Sequence, residues 1–398
     1  MKNILPFAAL ALVASPALAK TVTVAAGPGA QERLQGALIE AQPGDTIAIG
    51  AGRFDLTDGL SLDVDKVTLR GAGPDKTILS FKGQLGSGEG LLVTSDDVVL
   101  RDFAVEDTKG DGIKSKGANR IVYRGIRVEW TGGPKETNGA YGVYPVESRD
   151  VLIDGVVVKG ASDAGIYVGQ SENIIVRNST AYGNVAGIEI ENSRHADVTR
   201  NIATHNTGGI LVFDLPNLPK MGGGDVRVFA NRIVDNDTPN FAPKGNIVAS
   251  VRKGTGVLVM ANENVHVLDN EMSGNATANV MIVSYRNAFT DPKYNPYPRR
   301  IEVAGNKQGR AGFDPDLPGA DQLKAAFGGS IPPVLWDGAG GPELGLLVTD
   351  KVPVLGMGLA QGAPMETARP GLVDLSKGAA IARPAAVVLP ASMEAAAR

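Results

Sequence analysis

Cysteine is absent from the 398 residues, and histidine occurs three times, at His195, His205 and His266. The first absence excludes disulfides, thiolate metal sites and a catalytic thiol. The second leaves a serine–histidine–acid triad only three places to begin. Aromatic residues make up only 5% of the chain. Neither sign of charge dominates: 39 basic and 43 acidic residues give a net charge of −4, which provides no footprint for nucleic acid. No stretch is apolar enough to span a bilayer, which takes about 20 residues. Glycine is plentiful instead, at 51 residues, well above the usual share of roughly one in fourteen. Turns must therefore be frequent.

The first segment has the layout of a secretory leader. Lys2 gives a positive start, Ile4 to Ala14 is a short apolar run broken by Pro6, and Ala17-Leu18-Ala19 offers small residues where a signal peptidase reads. Cleavage is expected after Ala19. The mature chain is then expected in the periplasm or secreted, with no membrane span.

A small residue followed by an aliphatic one recurs at Gly59, Gly90, Gly112, Gly142, Gly165, Gly187, Gly209, Gly256 and Asn279. The steps are 31, 22, 30, 23, 22, 22, 47 and 23 residues. Five cluster at 22 or 23, and the others read as one turn plus an insertion. A period of this length marks a solenoid. Within it, Gly165-Ile166-Tyr167-Val168 and Gly187-Ile188-Glu189-Ile190 alternate as strands, followed by short strands near residues 173–177 and 197–200. Three short strands per 22 residues make one coil of a right-handed parallel β-helix, so the fold class is all-β.

Asparagines support the same period. Asn178, Asn201, Asn231 and Asn270 fall at equivalent turns, and Asn184, Asn206, Asn236 and Asn275 follow five or six residues later. Asparagine tolerates left-handed turns and its amides stack in columns. Gln31 to Ala41 is amphipathic and is expected to cap the N-terminal end as a short helix. The expected organisation is a leader over 1–19, a β-helix over 20–309, an irregular closing segment over 310–377 and a loose, low-complexity tail over 378–398. Val334-Leu335-Trp336 and Leu346-Leu347-Val348 are expected to be closing strands.

Four stretches in order, residues 138–146, 160–170, 185–192 and 206–216, resemble a family of exported right-handed parallel β-helix repeat proteins whose activity is unassigned. The resemblance runs over roughly residues 25–350. The family is related in fold to pectate lyases, alginate epimerases and the copper-maturation protein NosD. The resemblance implies the fold, export and a c-type cytochrome-like partner, but no reaction. The chain departs from the enzymes of that fold. Asp291-Pro292-Lys293 has lysine where alginate epimerases carry the histidine of Asp-Pro-His-Asp, and the Arg-x-Pro-x-x-Arg of pectate lyases is missing.

Alternation sets the candidate site. After each repeat glycine the aliphatic residue points inward and the next outward. One outward column is then Lys114, Tyr144, Tyr167, Glu189 and Leu211, and a second is Lys116, Val146, Gly169, Glu191 and Phe213. Insertions border this ribbon at residues 131–138, 214–225 and 237–254. Aromatic faces beside carboxylates suit a polysaccharide. Glu189 and Glu191, two apart on one strand, are the candidate acid and base on an exposed face, with Asp163 and Asp214 flanking them. Lys114, Lys116, Tyr144, Tyr167 and Phe213 are the candidate substrate-binding residues. Lys109, Lys114, Lys116 or Arg127 can neutralise a sugar carboxylate in lyase or epimerase chemistry. Glu106, Asp107 and Asp111 offer oxygen ligands to Ca²⁺, without EF-hand spacing. Two functions fit: a lyase, hydrolase or epimerase acting on a cell-envelope or extracellular polysaccharide, or a non-catalytic component that docks a cytochrome-like protein on the same face.

Overall fold

A computed structural model of the chain describes residues 19–86 and 88–398. The expected leader, apart from Ala19, lies outside the described residues. Strands stack into three long sheets. Sheet one has twelve strands, from Thr21–Val24 to Leu346–Val348; sheet two has ten, from Gly52–Asp55 to Lys307–Gln308; sheet three has twelve, from Leu60–Leu62 to Gly371–Val373. One coil runs from Ala164–Gly169 in sheet three to Glu172–Arg177 in sheet one and Thr180–Tyr182 in sheet two, before Ala186–Glu191 starts the next. Strand pairing is parallel except for the last pair of sheet three, Val354–Gly356 with Gly371–Val373.

The alternation of the sequence becomes columns. Ile166, Ile188, Ile210, Val257 and Val280 pair in register inside sheet three, each fully buried. The two repeat signals, glycine and asparagine, turn out to be one device. A Cβ at Gly187 would meet the Gly209 carbonyl at 2.5 Å and Asn206 Nδ2 at 2.8 Å. The same crowding pairs Gly165 with Asn184, Gly209 with Asn236 and Gly256 with Asn275. The glycine therefore leaves room for the amide of the ladder, at a distance no side chain would allow.

The ladders are continuous. Asn184 Nδ2 donates to Asn206 Oδ1 at 3.0 Å, Asn206 to Asn236 at 3.1 Å and Asn236 to Asn275 at 3.0 Å. A second ladder links Asn201, Asn231, Asn270 and Asn306 at 2.9 to 3.0 Å. Asn178 is not on it, contrary to expectation; Ser179 holds that rung, its backbone N–H donating to Asn201 Oδ1. The left-handed backbone also falls one residue earlier than expected. Arg200, His205, Ala230, Asp235 and Asp269 carry the positive φ, each just before a ladder asparagine.

The helix Ala30–Glu40 covers the N-terminal end, with Leu34 and Leu38 fully buried. At the other end, strands form at Val334–Trp336 and Leu346–Val348 as expected, and also at Val354–Gly356. Residues 383–398 are not loose. Val387, Leu389 and Met393 are buried against Val122, Leu152 and Ile175 on the outside of sheet one. Arg177 bonds both carboxylate oxygens of Glu394, and Arg383 both of Glu302. Three apolar residues among alanines and prolines, these two ion pairs and bonds from Arg101 and Arg124 to the Ala396 and Ala397 carbonyls dock the strap.

The histidines do not meet as a group. His195 bonds Asn173 and the Ala385 carbonyl, while His205 pairs with Asp237 in an exposed turn. His266 faces outward on sheet one yet is fully buried, with Nδ1 2.7 Å from Glu302. Burial lowers its pKa against the pull of that carboxylate.

Candidate active site

Register places the sequence-derived ribbon on successive rungs of sheet three. Lys114 pairs with Tyr144, Tyr167 with Glu189, and Glu189 with Leu211. In the second column Gly169 pairs with Glu191 and Glu191 with Phe213. The ribbon is not an exposed face, however. Tyr167, Glu189, Glu191 and Phe213 are 4%, 2%, 8% and 1% exposed, while Lys114 and Tyr144 are half-buried and only Lys116 is open. The insertion over residues 235–254 folds back over the sheet. Asn240 gives it shape, donating to the Val248 and Val251 carbonyls at 2.8 and 2.9 Å. Val248 and Val251 then pack in one apolar cluster with Tyr167, Leu211 and Phe213.

Beneath it the two glutamates come together. The alternation predicted carboxyls standing apart across a bond; instead the Glu189 and Glu191 carboxyls lie within reach of one another. Tyr167 completes the contact, its hydroxyl 2.8 Å from Glu191 Oε1. Gly169 permits this, because a Cβ there would lie 2.4 Å from the Tyr167 ring. The ring therefore crosses from the first column to the second. Glu189 Oε2 is buried without a hydrogen-bond partner.

Asp163 closes the group. Asn246, from the covering insertion, donates to its Oδ2 at 3.2 Å. Burial, then the charge of Glu191, pushes Asp163 up to about 7. Burial, then Asp163, then Glu191 raise Glu189 well above the usual carboxylate range. Glu191 is raised too, chiefly by burial and against the hydrogen bond from Tyr167. A carboxyl that is buried without a cation keeps its proton because water is no longer there to stabilise the charge. Asp214, also raised by burial, lies at the next rung and accepts from the Gly222 backbone at 3.1 Å.

The group leads to a more open end. The rings of Tyr141, Tyr144 and Tyr167 lie 4.5 to 4.9 Å apart. Lys114 Nζ sits 5.0 Å from the Tyr144 centroid and 2.9 Å from Glu89. Burial pushes Asp111 up to about 6 even with Lys114 3.9 Å away. The other candidates do not join. Lys116 reaches only Glu147, at 4.0 Å. Lys109 donates to the Leu85 carbonyl. Arg127 stands on sheet two, bound to Glu106 and Glu129. The Ca²⁺ grouping does not form either: Glu106 is held by Arg53 and Arg127, and Asp107 by Thr131. Among the described residues no group of three or more His, Asp or Glu converges as a metal site.

Sequence reasoning missed Tyr141 and Asn246. Tyr141 had a visible signal: it pairs in register with Ala164, which is followed by Ala186 and Gly208, so one large residue heads a column of small ones. Asn246 had none, since it lies in an insertion without periodicity.

The family model described as a right handed beta helix region matches residues 76–216 and 135–291. No curated protein sequence matches the chain. Solved structures with a similar chain path include the A-module of the Azotobacter vinelandii mannuronan C-5 epimerase AlgE4, 17% identical over 72% of this chain and 88% of that one, with a TM-score of 0.49. A double mutant of the periplasmic alginate epimerase AlgG is 14% identical over 73% and 80%, with a TM-score of 0.42. The catalytic unit of an α-1,3-glucanase from Streptomyces thermodiastaticus is 16% identical over 82% and 51%, with a TM-score of 0.49. Likeness at such identity concerns fold, not activity. No helix among the described residues is long and apolar enough to cross a membrane.

Proposed function

We propose that this chain, which belongs to the right-handed β-helix family, is a carbohydrate-active enzyme that works by proton transfer at Glu189, Glu191 and Asp163. The observation that carries this reading is the convergence of three buried carboxyls with raised pKa values and, among the described residues, no cation in ion-pair contact with them. Such an arrangement costs stability and is the kind that active sites maintain. The two carboxyls are close enough to hold one proton between them, so the pair is a proton-sharing dyad rather than two groups flanking a bond. Hydrolysis with retention wants carboxyls about 5 Å apart; a hydrogen-bonded pair is closer than that. The dyad instead suits a proton given to the leaving oxygen of a glycosidic bond at neutral pH, while water adds to the sugar carbon and returns its proton to the carboxyl group.

Tyr144 and Lys114 mark the approach, where a sugar can stack and hydrogen-bond. Along this path Asp111, Asp163, Glu191 and Asp214 are all raised towards their neutral forms, and Lys114 is bound to Glu89. A path whose lysine is already paired favours a neutral sugar over a uronate. Substrate entry requires the 235–254 insertion to lift, breaking the Asn246–Asp163 contact. Export rests on the leader alone, and the polymer is therefore placed in the cell envelope or outside it. Docking of a cytochrome-like protein on this face is not favoured, because Tyr167 and Phe213 are covered.

The test is turnover of a polysaccharide that the mature protein degrades or remodels. Glu189→Gln and Glu191→Gln should each lower the rate by about 10²- to 10⁴-fold while circular dichroism stays unchanged. Equal rates in the wild type and both variants would remove the dyad from the chemistry.

A further inference from the structure

Beyond the dyad the same face changes character. The first outward column continues from Leu211 through Leu258, Met281, Leu335 and Leu355, and the second from Phe213 through Met260 and Val283. These side chains do not pack flush against what covers them. The 235–254 insertion on one side and the closing segment on the other stand off from the sheet. Between them lies a cavity of about 270 Å³. Its floor includes Leu258, Met260 and Met281, and its far wall Met357, Leu359 and Met365. Four of the eight methionines in the chain line this one space. Methionine is flexible and polarisable, and adapts to apolar ligands of different shape. An apolar cavity of roughly 150 Å³ already accepts benzene and stays dry without it, so this one admits a larger body.

One end is polar. Arg286 lines the cavity, and its Nη1 is buried without a hydrogen-bond partner. Its other terminal nitrogen, Nη2, donates to the Ala363 carbonyl. Asp337, beside it in the lining, is already occupied: Oδ2 accepts from the backbone N–H and hydroxyl of Ser284 at 2.7 and 2.6 Å, and Oδ1 from the Ala339 N–H at 3.0 Å. Among the described residues Arg286 has no ion-pair partner within 4 Å. A guanidinium N–H left over at the end of an apolar chamber matches an acceptor oxygen on a largely apolar molecule.

We propose that this cavity binds an aliphatic carboxylate of medium chain length, the chain lying over Met260 and Met281 and the carboxylate on Arg286. The site goes beyond the carbohydrate chemistry and stands on its own geometry, since none of its lining residues belongs to the dyad. Its nearest link is Phe213, the register neighbour of Glu191, which walls one end of the cavity.

Isothermal titration calorimetry with decanoate on the mature full-length protein tests it, with decanol as a headless control. The wild type should bind decanoate at one equivalent, at least tenfold tighter than decanol. Arg286→Gln should weaken decanoate at least tenfold and decanol less than twofold. Met281→Phe, which narrows the chamber while keeping an apolar wall, should weaken both; a thermal melt shows whether this variant folds. If it does not, the decanoate–decanol comparison in Arg286→Gln decides alone. No saturable binding of decanoate by the wild type, or equal decanoate affinity in Arg286→Gln, would overturn the proposal. Neither result touches the Glu189 turnover experiment.

Discussion

Glu189 occupies a position where a solvent-facing strand residue would be unremarkable, and the covering insertion turns it into a proton store. The consequence is measurable without a substrate. Asp163, near 7 when folded, returns to about 4 when unfolded. The folded state therefore binds more protons across that window, and stability falls as pH rises through it. Glu189 acts in the same direction. The urea midpoint should drop between pH 5 and pH 8, and Asp163→Asn should flatten the drop, mainly by raising the midpoint at pH 8. A midpoint that climbs over the same range would mean that these groups are ionised when folded. The alternation of residues 186–191 revealed which two glutamates share a face. It could not reveal that they touch, because Gly169 and the bend of the Tyr167 ring decide that, nor that they are buried, because the cover comes from an aperiodic insertion.

At the scale of the element, the coil is held by the joint spacing of glycine and asparagine. Asn206 makes four contacts that an alanine cannot: it accepts from the Asn184 N–H and Nδ2 and donates to the Ala181 carbonyl and Asn236 Oδ1. Removing a buried amide strands its neighbours' polar groups. Asn206→Ala should cost about 3 kcal/mol, read as a lower denaturant midpoint. Asn178→Gly should cost clearly less, since Asn178 is exposed, its left-handed φ of 53° suits glycine, and its two side-chain bonds, to Asp154 and from Arg200, lie off the ladder. Equal losses at both would mean that the ladder contributes nothing special. Both asparagine series were legible as a period, yet the first was read one residue off its rung at Asn178. Serine at 179 hides the register, because its backbone, not an amide side chain, makes that contact.

Across the whole molecule, sheet three presents a graded outer surface. It passes from Lys114 and Tyr144, partly open, to the buried Tyr167, Glu189 and Glu191, and then to Leu258, Met260 and Met281. Two non-repeating segments cover the buried stretch, and the C-terminal strap covers sheet one. The solenoid itself was readable from the glycine steps, because every coil repeats the same constraint. The covers were not, because Val387, Leu389 and Met393 or Phe241 and Val248 carry no period and dock only through three-dimensional fit. Chemistry at the middle of the face, by carboxyls held protonated through burial, is the central claim. Mass spectrometry of soluble products, after incubating the mature protein with matched neutral and uronate-rich polysaccharides, tests it most directly. The account predicts shortened products from a neutral polymer and little from the uronate one. Preferential attack on the uronate polymer, or no change in either, would contradict it.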